Sequence, residues 1–382
     1  MKFVREALRC SLFLCLAVLL LPVVALAQHY KQTNLVSDLA SISTPNPPDP
    51  NLKNPWGLTR SPGGSPWWIA NNNSGTSTLY DGNGNAFPPP SKGGPLVVTV
   101  PPPNGSPAGT TSTPTGVVFN GSPTDFLVAP GKSAHFIFVT EDGTISGWNG
   151  GQNAVLTVDN SDNGSANGAV YKGATSGEIN GNKFLYVTNF RKARVEIYDT
   201  KFKRVFLGDD AFEAEGVPDG FAPFNIQNIG GILFVTYAKQ DPARHDDVAG
   251  DGLGFVELFK PSGRNIGHLQ HGTWLNSPWG VVWTTRDFGE FSNAILVGNF
   301  GSGRIAAFNG FTYKFMGFVK NPDDSILTID GLWSLTFGND GDPAKNGAGP
   351  ANTLFFTAGI NGEQDGLFGT IKPVDGLDGD EE

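Results

Sequence analysis

The sequence has few cysteines and few histidines. Its two cysteines, Cys10 and Cys15, both lie within the first 27 residues. Because no cysteine follows, the rest of the chain can form neither a disulfide nor a thiolate metal site. The five histidines show no metal-ligand spacing, and no Gly-x-Ser-x-Gly nucleophile motif stands on a strand-to-helix turn. Catalytic residues are therefore not assigned from the sequence.

Long apolar runs are absent beyond the N-terminus. There, basic residues precede an apolar run over residues 10–26, and a small-x-small sequence ends at Ala27. This pattern predicts a secretory signal peptide over residues 1–27, cleaved after Ala27. An uncleaved membrane anchor is disfavoured, because Pro22 interrupts the run and a spanning helix needs about 20 apolar residues. The mature chain is predicted to be secreted or periplasmic, with no membrane span.

Basic residues are outnumbered by acidic ones. The chain has 26 Lys and Arg against 36 Asp and Glu, a formal net charge of −10. Removal of the predicted signal peptide takes away three basic residues and one acidic residue, which leaves −12. An acidic surface disfavours nucleic acid and anionic lipid as partners. Residues 375–382 are predicted to form an acidic C-terminal tail.

Turn-forming and aromatic residues are abundant. The chain contains 51 Gly, 28 Pro, 28 Phe and 8 Trp, a balance typical of many short strands and few helices. Disorder is disfavoured because the apolar runs recur regularly. Residues 276–319 contain four short β-type runs separated by turn residues, which predicts one antiparallel four-stranded sheet.

Six copies of this unit follow one another. Successive copies are 52 to 59 residues apart, measured at one marker position, which falls on Trp56, Thr115, Lys172, Phe224, Trp279 and Trp333. A period near 50 with four strands per copy predicts an all-β, six-bladed β-propeller over residues 28–374, expected as a monomer. The last copy lacks a fourth strand, whereas residues 34–40 form a strand without a blade. We expect the strand at residues 34–40 to complete the last blade and so close the ring.

The repeats resemble a known family. Residues 187–199 and 297–310 are similar to NHL-repeat propellers, and nearly the whole mature chain is similar to an uncharacterised family of secreted bacterial NHL-like propeller proteins. The matching stretches are residues 54–57, 238–241, 252–256, 330–333, 357–359 and 366–369. The resemblance implies the fold and export, but no established activity. Asp365 stands where the family often has histidine, so an essential imidazole is not implied there.

Aromatic residues are predicted near the mouth of the central channel. The four aromatic markers occupy equivalent positions in their repeats: Trp56, Phe224, Trp279 and Trp333. They either pack between blades or line a pocket for a sugar ring or another flat small molecule. The position after the marker is small in most repeats, and only Asn225 offers an amide there. These five residues are the candidate ligand-binding set, and the scarcity of polar groups disfavours a lactonase-type metal site.

One polar loop concentrates acidic side chains. Residues 240–252 hold four aspartates and a histidine, namely Asp241, His245, Asp246, Asp247 and Asp251. Clustered carboxylates suit calcium, which takes six to eight oxygen ligands in flexible geometry. The spacing is not that of an EF-hand. The alternatives are a solvated acidic loop, a calcium ion that orders the loop, and a catalytic metal.

Three functions are consistent with these patterns. The first is a binding or scaffold propeller for a polysaccharide, a cell-envelope component or a protein. The second is a metal-dependent hydrolase or lyase of the lactonase or NHL-lyase type. The third is a structural envelope protein. Fold alone does not choose among them, because propellers host many functions.

Overall fold

A computed structural model describes residues 29–345 and 347–374 of the chain. Six antiparallel sheets of four strands each make up most of this part. The predicted all-β, six-bladed propeller is thus confirmed. The predicted signal peptide at residues 1–27 and the acidic tail at residues 375–382 lie outside the described residues.

Each blade is an antiparallel meander, numbered here in chain order. Blade 1 comprises β2 (Pro55–Thr59), β3 (Trp67–Asn71), β4 (Thr76–Tyr80) and β5 (Val97–Thr99). Blade 2 comprises β6 (Pro114–Phe119), β9 (Phe136–Thr140), β10 (Thr144–Trp148) and β11 (Val155–Asp159), with a small hairpin of β7 (Leu127–Ala129) and β8 (Lys132–Ser133). Blade 3 comprises β12 (Tyr171–Ile179), β13 (Asn182–Asn189), β14 (Arg194–Tyr198) and β15 (Arg204–Val205).

The other three blades repeat this order. Blade 4 comprises β16 (Phe221–Ile229), β17 (Ile232–Lys239), β18 (Gly254–Phe259) and β19 (Asn265–His268). Blade 5 comprises β20 (Pro278–Trp283), β21 (Ala294–Asn299), β22 (Ile305–Asn309) and β23 (Phe315–Phe318). Blade 6 comprises β24 (Leu332–Phe337), β25 (Leu354–Ala358), β26 (Leu367–Val374) and β1 (His29–Ser37). Short helical turns cover Pro90–Lys92, Asp162–Gly164, Gly289–Phe291, Pro343–Lys345 and Ile360–Glu363.

The N-terminal strand closes the ring, as the sequence predicts. Strand β1 pairs antiparallel with β26, with His29 opposite Val374 and Ser37 opposite Leu367. The strand begins at His29 and ends at Ser37, so it starts earlier and stops earlier than the predicted residues 34–40. Pairing both chain ends in one blade removes an exposed sheet edge.

The first strands approach one another closely around the channel. A Cβ atom on Gly57 would lie 2.6 Å from the carbonyl oxygen of Thr115, and one on Gly280 would lie 2.5 Å from that of Trp333. Such contacts are shorter than van der Waals distances, so glycine is required at these positions. The predicted preference for small residues after the marker therefore reflects crowding between neighbouring blades.

In each blade the connection between the second and third strands lies at the same end of the propeller. The residues that precede each first strand lie at this end as well. We call this end the loop face. Its longest connection is residues 240–253, in blade 4. Across residues 29–345 and 347–374, helices long and apolar enough to cross a membrane are absent.

Candidate functional site

Four aromatic rings close the central channel just below the loop face. Trp56 and Trp333 stack with ring centroids 3.5 Å apart, and Trp279 meets Trp56 edge-on at 6.0 Å. Phe224 also meets Trp56 edge-on, at 6.3 Å. None of the four residues is more than 4% exposed. We call this group the aromatic plug, and its geometry is that of side-chain packing.

The surroundings of these residues are those of a packed interior. Asn225 is buried beside the plug, and its Nδ2 donates to the carbonyl oxygen of Trp279 at 2.9 Å. Beneath the plug, a cavity of about 30 Å³ touches Asn225, Trp279 and Ser334, which is room for about one water molecule. The rings are closed to solvent and present no face to a ligand. The ligand-binding role of Trp56, Phe224, Asn225, Trp279 and Trp333 stays a prediction that this geometry does not support.

Lys172 occupies the marker position of blade 3 and is 1% exposed. Its ammonium lies 5.2 Å from the ring centroid of Trp56, a distance at which a cation is attracted to the ring face. It donates to the carboxylate of Glu141 and to Asp246 Oδ1, the latter at 3.1 Å. Burial alone would lower the pKa of Lys172, but the charges of Glu141 and Asp246 outweigh it and raise the pKa. The lysine therefore carries a positive charge at neutral pH.

Side chains of other blades surround this ammonium. Glu141 follows strand β9 of blade 2, and its Oε2 accepts a hydrogen bond from Asn72 Nδ2 of blade 1 at 2.7 Å. Glu363 lies between β25 and β26 of blade 6, and its Oε2 accepts from Asn54 Nδ2 at 2.8 Å. Burial, reinforced by the charge of Glu141, raises the pKa of Glu363 to about 6. The loop face thus holds a carboxyl group whose pKa lies above its ordinary value.

The blade 4 loop adds an imidazole and a carboxylate. His245 Nδ1 lies 2.9 Å from Asp246 Oδ1. This hydrogen bond raises the pKa of His245 and holds that of Asp246 well below its usual range. The side chain of Asp246 is 65% exposed, so the cluster reaches solvent here. We call Glu141, Lys172, His245, Asp246 and Glu363 the loop-face cluster.

The five predicted metal ligands do not form one group. Asp241 Oδ1 accepts the backbone N–H of His245 at 2.7 Å and so shapes the loop, and Asp251 is exposed. Among the residues that the structure describes, Glu141, His245 and Asp246 bring their ligand atoms within 4.8 Å of one another. Asp247 lies outside this set, and burial raises its pKa. Two of the five predicted residues therefore meet metal-site geometry, together with a glutamate from another blade.

Sequence reasoning overlooked three members of the cluster, namely Glu141, Lys172 and Glu363. Lys172 was a marker position without an assigned role, although a lysine at a position otherwise mostly aromatic is a signal. Glu141 and Glu363 lie in the connections between second and third strands, which converge in any propeller. Reading every such connection together would have identified both glutamates.

Solved structures similar to this one are propellers of distant sequence. A protein of unknown function from Bacteroides thetaiotaomicron superposes with a TM-score of 0.51 at 11% identity, covering 91% of this chain and 76% of that one. A streptogramin B lyase superposes with a TM-score of 0.49 at 13% identity, covering 92% and 99% of the two chains. At this level of identity the likeness shows the fold alone.

Closer relatives are proteins of Acanthamoeba polyphaga mimivirus. No protein-family model matches the chain. The uncharacterized protein R640 is 33% identical over 234 residues, which are 58% of this chain but only 42% of R640. The uncharacterized protein R648 is 30% identical over 335 residues, which cover 85% of this chain and 76% of R648. The bacterial and secreted character implied by the resemblance stays a prediction. The chain belongs to the family of the uncharacterized mimivirus protein R648.

Proposed function

We propose that the chain is a binding propeller that holds a polysaccharide on its loop face, at the loop-face cluster. The observation that carries this proposal is the convergence of ionisable side chains from blades 2, 3, 4 and 6 above a closed aromatic plug. A plug needed only for stability would favour an apolar side chain at position 172. Burying the charges of Lys172 and Glu141 costs free energy, which is offset only when the two groups are paired in a well-defined geometry.

The chemistry of the cluster suits a polyhydroxylated ligand. The carboxylate of Asp246 accepts hydrogen bonds from hydroxyl groups, and His245 beside it donates once it is protonated. Phe300, in the blade 5 connection, stacks on Trp333 with centroids 3.9 Å apart and is only partly buried. Its outer face offers apolar area for a sugar ring. In this proposal Phe300, and not a residue of the aromatic plug, makes the aromatic contact with the sugar ring.

A hydrolase or lyase is the second candidate function. The observation that favours it is the pKa of about 6 at Glu363, because a general acid or base works best when its pKa lies near the operating pH. Lys172 is unsuited to act as base or nucleophile at neutral pH, since its pKa is raised. Glu363 and His245 would then exchange protons with the substrate.

Calcium is the proposed cation for this site, with carboxylate oxygens of Glu141 and Asp246 as ligands and His245 beside them. The ammonium of Lys172 already contacts both carboxylates, so a calcium ion must compete with it. We therefore expect weak calcium binding in the natural chain and tighter binding in Lys172→Gln. Calorimetric titration of both proteins with calcium tests this, and equal affinities would contradict it.

The binding proposal is tested by calorimetry with a panel of soluble polysaccharides. Asp246→Asn removes an exposed charge of the cluster, and Asp251→Asn is the matched control in the same loop. We expect Asp246→Asn to weaken binding about fivefold, as for the loss of a charge-assisted hydrogen bond, and the control to stay within about twofold. Release of shortened products that stops in Glu363→Gln would instead support the enzyme. Equal affinities in all variants would place the ligand elsewhere.

Export as a monomer completes the proposal. Its support is the basic, apolar and small-residue order of residues 1–27, which suits a cleavable signal peptide. Expression of the full chain in a bacterial host, followed by N-terminal sequencing, tests it. The expected result is a protein that begins at Gln28 in the periplasm or medium and elutes as a monomer. Retention of Met1 in the cytoplasm would contradict it.

A further inference from the structure

Blade 3 carries a concentration of basic residues in an otherwise acidic chain. Six of the 26 lysines and arginines fall between residues 191 and 204, whereas the whole chain has a formal charge of −10. They are Arg191, Lys192, Arg194, Lys201, Lys203 and Arg204. The loop-face cluster uses none of them. A basic patch on an acidic protein is a local field that attracts anions.

Three of these residues line a cleft of about 550 Å³ between blades 2 and 3. Side chains alternate along a strand, so Arg194, Glu196 and Tyr198 of β14 share one face. Arg204 of β15 pairs directly with Tyr198 and joins that face. Lys192, in the connection before β14, completes the basic wall. The volume lies within the range of small-ligand sites, about 300 to 1,000 Å³.

The floor of the cleft is held by a hydrogen-bond network. Glu196 is 2% exposed and accepts hydrogen bonds from Arg194 Nη2 at 2.7 Å and Tyr198 Oη at 2.9 Å. Tyr171 Oη donates to the same carboxylate at 3.0 Å. Asn160, from the blade 2 side, donates to Tyr198 Oη at 3.0 Å. These contacts fix the side chains before any ligand arrives, which lowers the entropic cost of binding.

The lining holds three basic and three acidic side chains, but Lys192 and Arg204 of the basic wall are not held in a close ion pair. Glu196 engages Arg194 closely, but Arg204 Nη1 lies 3.6 Å from it, and the Arg204 side chain is 49% exposed. Lys192 makes no ion pair within residues 29–345 and 347–374. These two side chains can turn to an anion without breaking the buried network.

The opposite wall is polar and partly acidic. It contributes Asp159, Asp162, Asn160 and Asn167 from the blade 2 side. Carboxylates and amides accept hydrogen bonds from sugar hydroxyls, whereas carboxylates repel a run of phosphates. The mixed lining therefore favours a ligand with one anionic group and several hydroxyls over a nucleic acid.

We propose that this cleft binds an acidic saccharide unit. Its carboxylate or sulfate lies against Lys192 and Arg204, and its hydroxyls face Asp159 and Asn160. The cleft is lined by no member of the loop-face cluster, so the proposal holds or fails independently of that site. The cleft would select saccharides by their anionic group, whereas the loop face would select them by the arrangement of their hydroxyl groups.

The test is calorimetric titration of the complete chain with four probes. These are a uronic acid trisaccharide, a sulfated trisaccharide, a neutral trisaccharide and a single-stranded oligonucleotide. Binding of either acidic saccharide, at least about tenfold tighter than the neutral one, supports the proposal. Whichever acidic probe binds more tightly identifies the anion. Absence of binding by both, equal binding of the neutral probe that Asp246→Asn leaves unchanged, or tighter binding of the oligonucleotide overturns it.

Variants locate the interaction. Lys192→Gln and Arg204→Gln each remove an exposed charge from the cleft, and both leave the Glu196 to Arg194 contact in place. Each should weaken binding of the acidic probe about tenfold. Lys201→Gln removes the same charge from the turn between β14 and β15, outside the lining, and should change affinity less than about twofold. An equal loss in all three would show a diffuse electrostatic attraction and overturn the cleft assignment.

Discussion

Two glutamates at equivalent positions in neighbouring blades behave differently. Glu196 lies opposite Val187 in blade 3, and Glu257 lies opposite Val235 in blade 4. Both are almost fully buried, at 2% and 3% exposure. Yet the pKa of Glu196 lies below its ordinary value, and the pKa of Glu257 lies above it. The repeat therefore sets the burial of this position but not its charge.

The neighbours explain the difference. Burial would raise the pKa of both carboxyl groups. At Glu196 the hydrogen bond from Arg194 and the charge of Arg204 outweigh burial. At Glu257 burial prevails, although Asn265 Nδ2 donates to it at 2.7 Å. Blade 3 supplies Arg194 from the same strand and Arg204 from the outer strand, whereas the outer strand of blade 4 supplies Asn265. These neighbours decide whether the buried carboxylate is stabilised as an anion.

The largest expected effect is that of removing the paired carboxylate. In Glu196→Ala, Tyr171, Tyr198 and Asn189 lose a hydrogen-bond acceptor, and Arg194 loses its partner. We expect the free energy of unfolding at pH 7 to fall by about 3 kcal/mol. Glu257→Ala is the control, and it should cost less because fewer donors lose their acceptor. Equal losses in urea denaturation would contradict the comparison.

The second prediction is that Glu196 without its arginine neighbours acquires a raised pKa, like that of Glu257. The double variant Arg194→Gln and Arg204→Gln removes both charges that lower the pKa of Glu196. Burial then prevails, so the pKa should rise above its ordinary value, as it does at Glu257. The stability at pH 7 should fall by about 1 to 2 kcal/mol. A carboxyl-carbon NMR titration measures the pKa, with Lys203→Gln as a control that leaves it unchanged.

The third prediction concerns the sign of the pH dependence. The raised pKa of Glu257 means that the folded state keeps a proton that the unfolded state releases, so its contribution to stability declines as pH rises between the two values. For Glu196, with its lowered pKa, the contribution is present above the unfolded value and is lost as pH falls.

Glu257→Gln should therefore match or exceed the natural chain at pH 7, by up to about 1 kcal/mol, and lose this advantage in acid. Glu196→Gln should be less stable at pH 7 and approach the natural chain in acid. Denaturation of all three proteins across the acidic to neutral range tests both signs. Parallel curves for the two variants would show that the equivalent carboxyl groups titrate alike.

The smallest effects are expected at two tyrosine hydroxyls. Tyr198 Oη donates to Glu196 at 2.9 Å, whereas the buried hydroxyl of Tyr237 has no hydrogen-bond partner among the residues described. Tyr198→Phe should cost about 1 kcal/mol, and Tyr237→Phe should be neutral or slightly stabilising. Thermal unfolding of the two variants measures the difference. A larger loss for Tyr237→Phe would reveal a partner for its hydroxyl, such as a bound water.

The architecture follows from the repeat pattern of the sequence. Apolar runs and turn residues recur about every 50 positions, and strand formation and blade packing follow from such local patterns. The unpaired strand near Leu35 and the incomplete last blade likewise implied closure. Burial of the marker residues was predictable as one of two alternatives, because equivalent positions in a closed ring face the same crowded axis.

The side-chain contacts on the loop face and in the cleft depend on how the blades are arranged in three dimensions. Lys172 and Asp246 are 74 residues apart and approach within 3.1 Å, because their blades place one strand end and one loop side by side. In the same way, Tyr198 meets Asn160 of the blade 2 side. Such contacts depend on ring closure, loop conformation and side-chain rotamers, and the repeat pattern of the sequence does not indicate them. The aspartate-rich loop was therefore visible as a cluster, whereas its lysine and its glutamate partner were not.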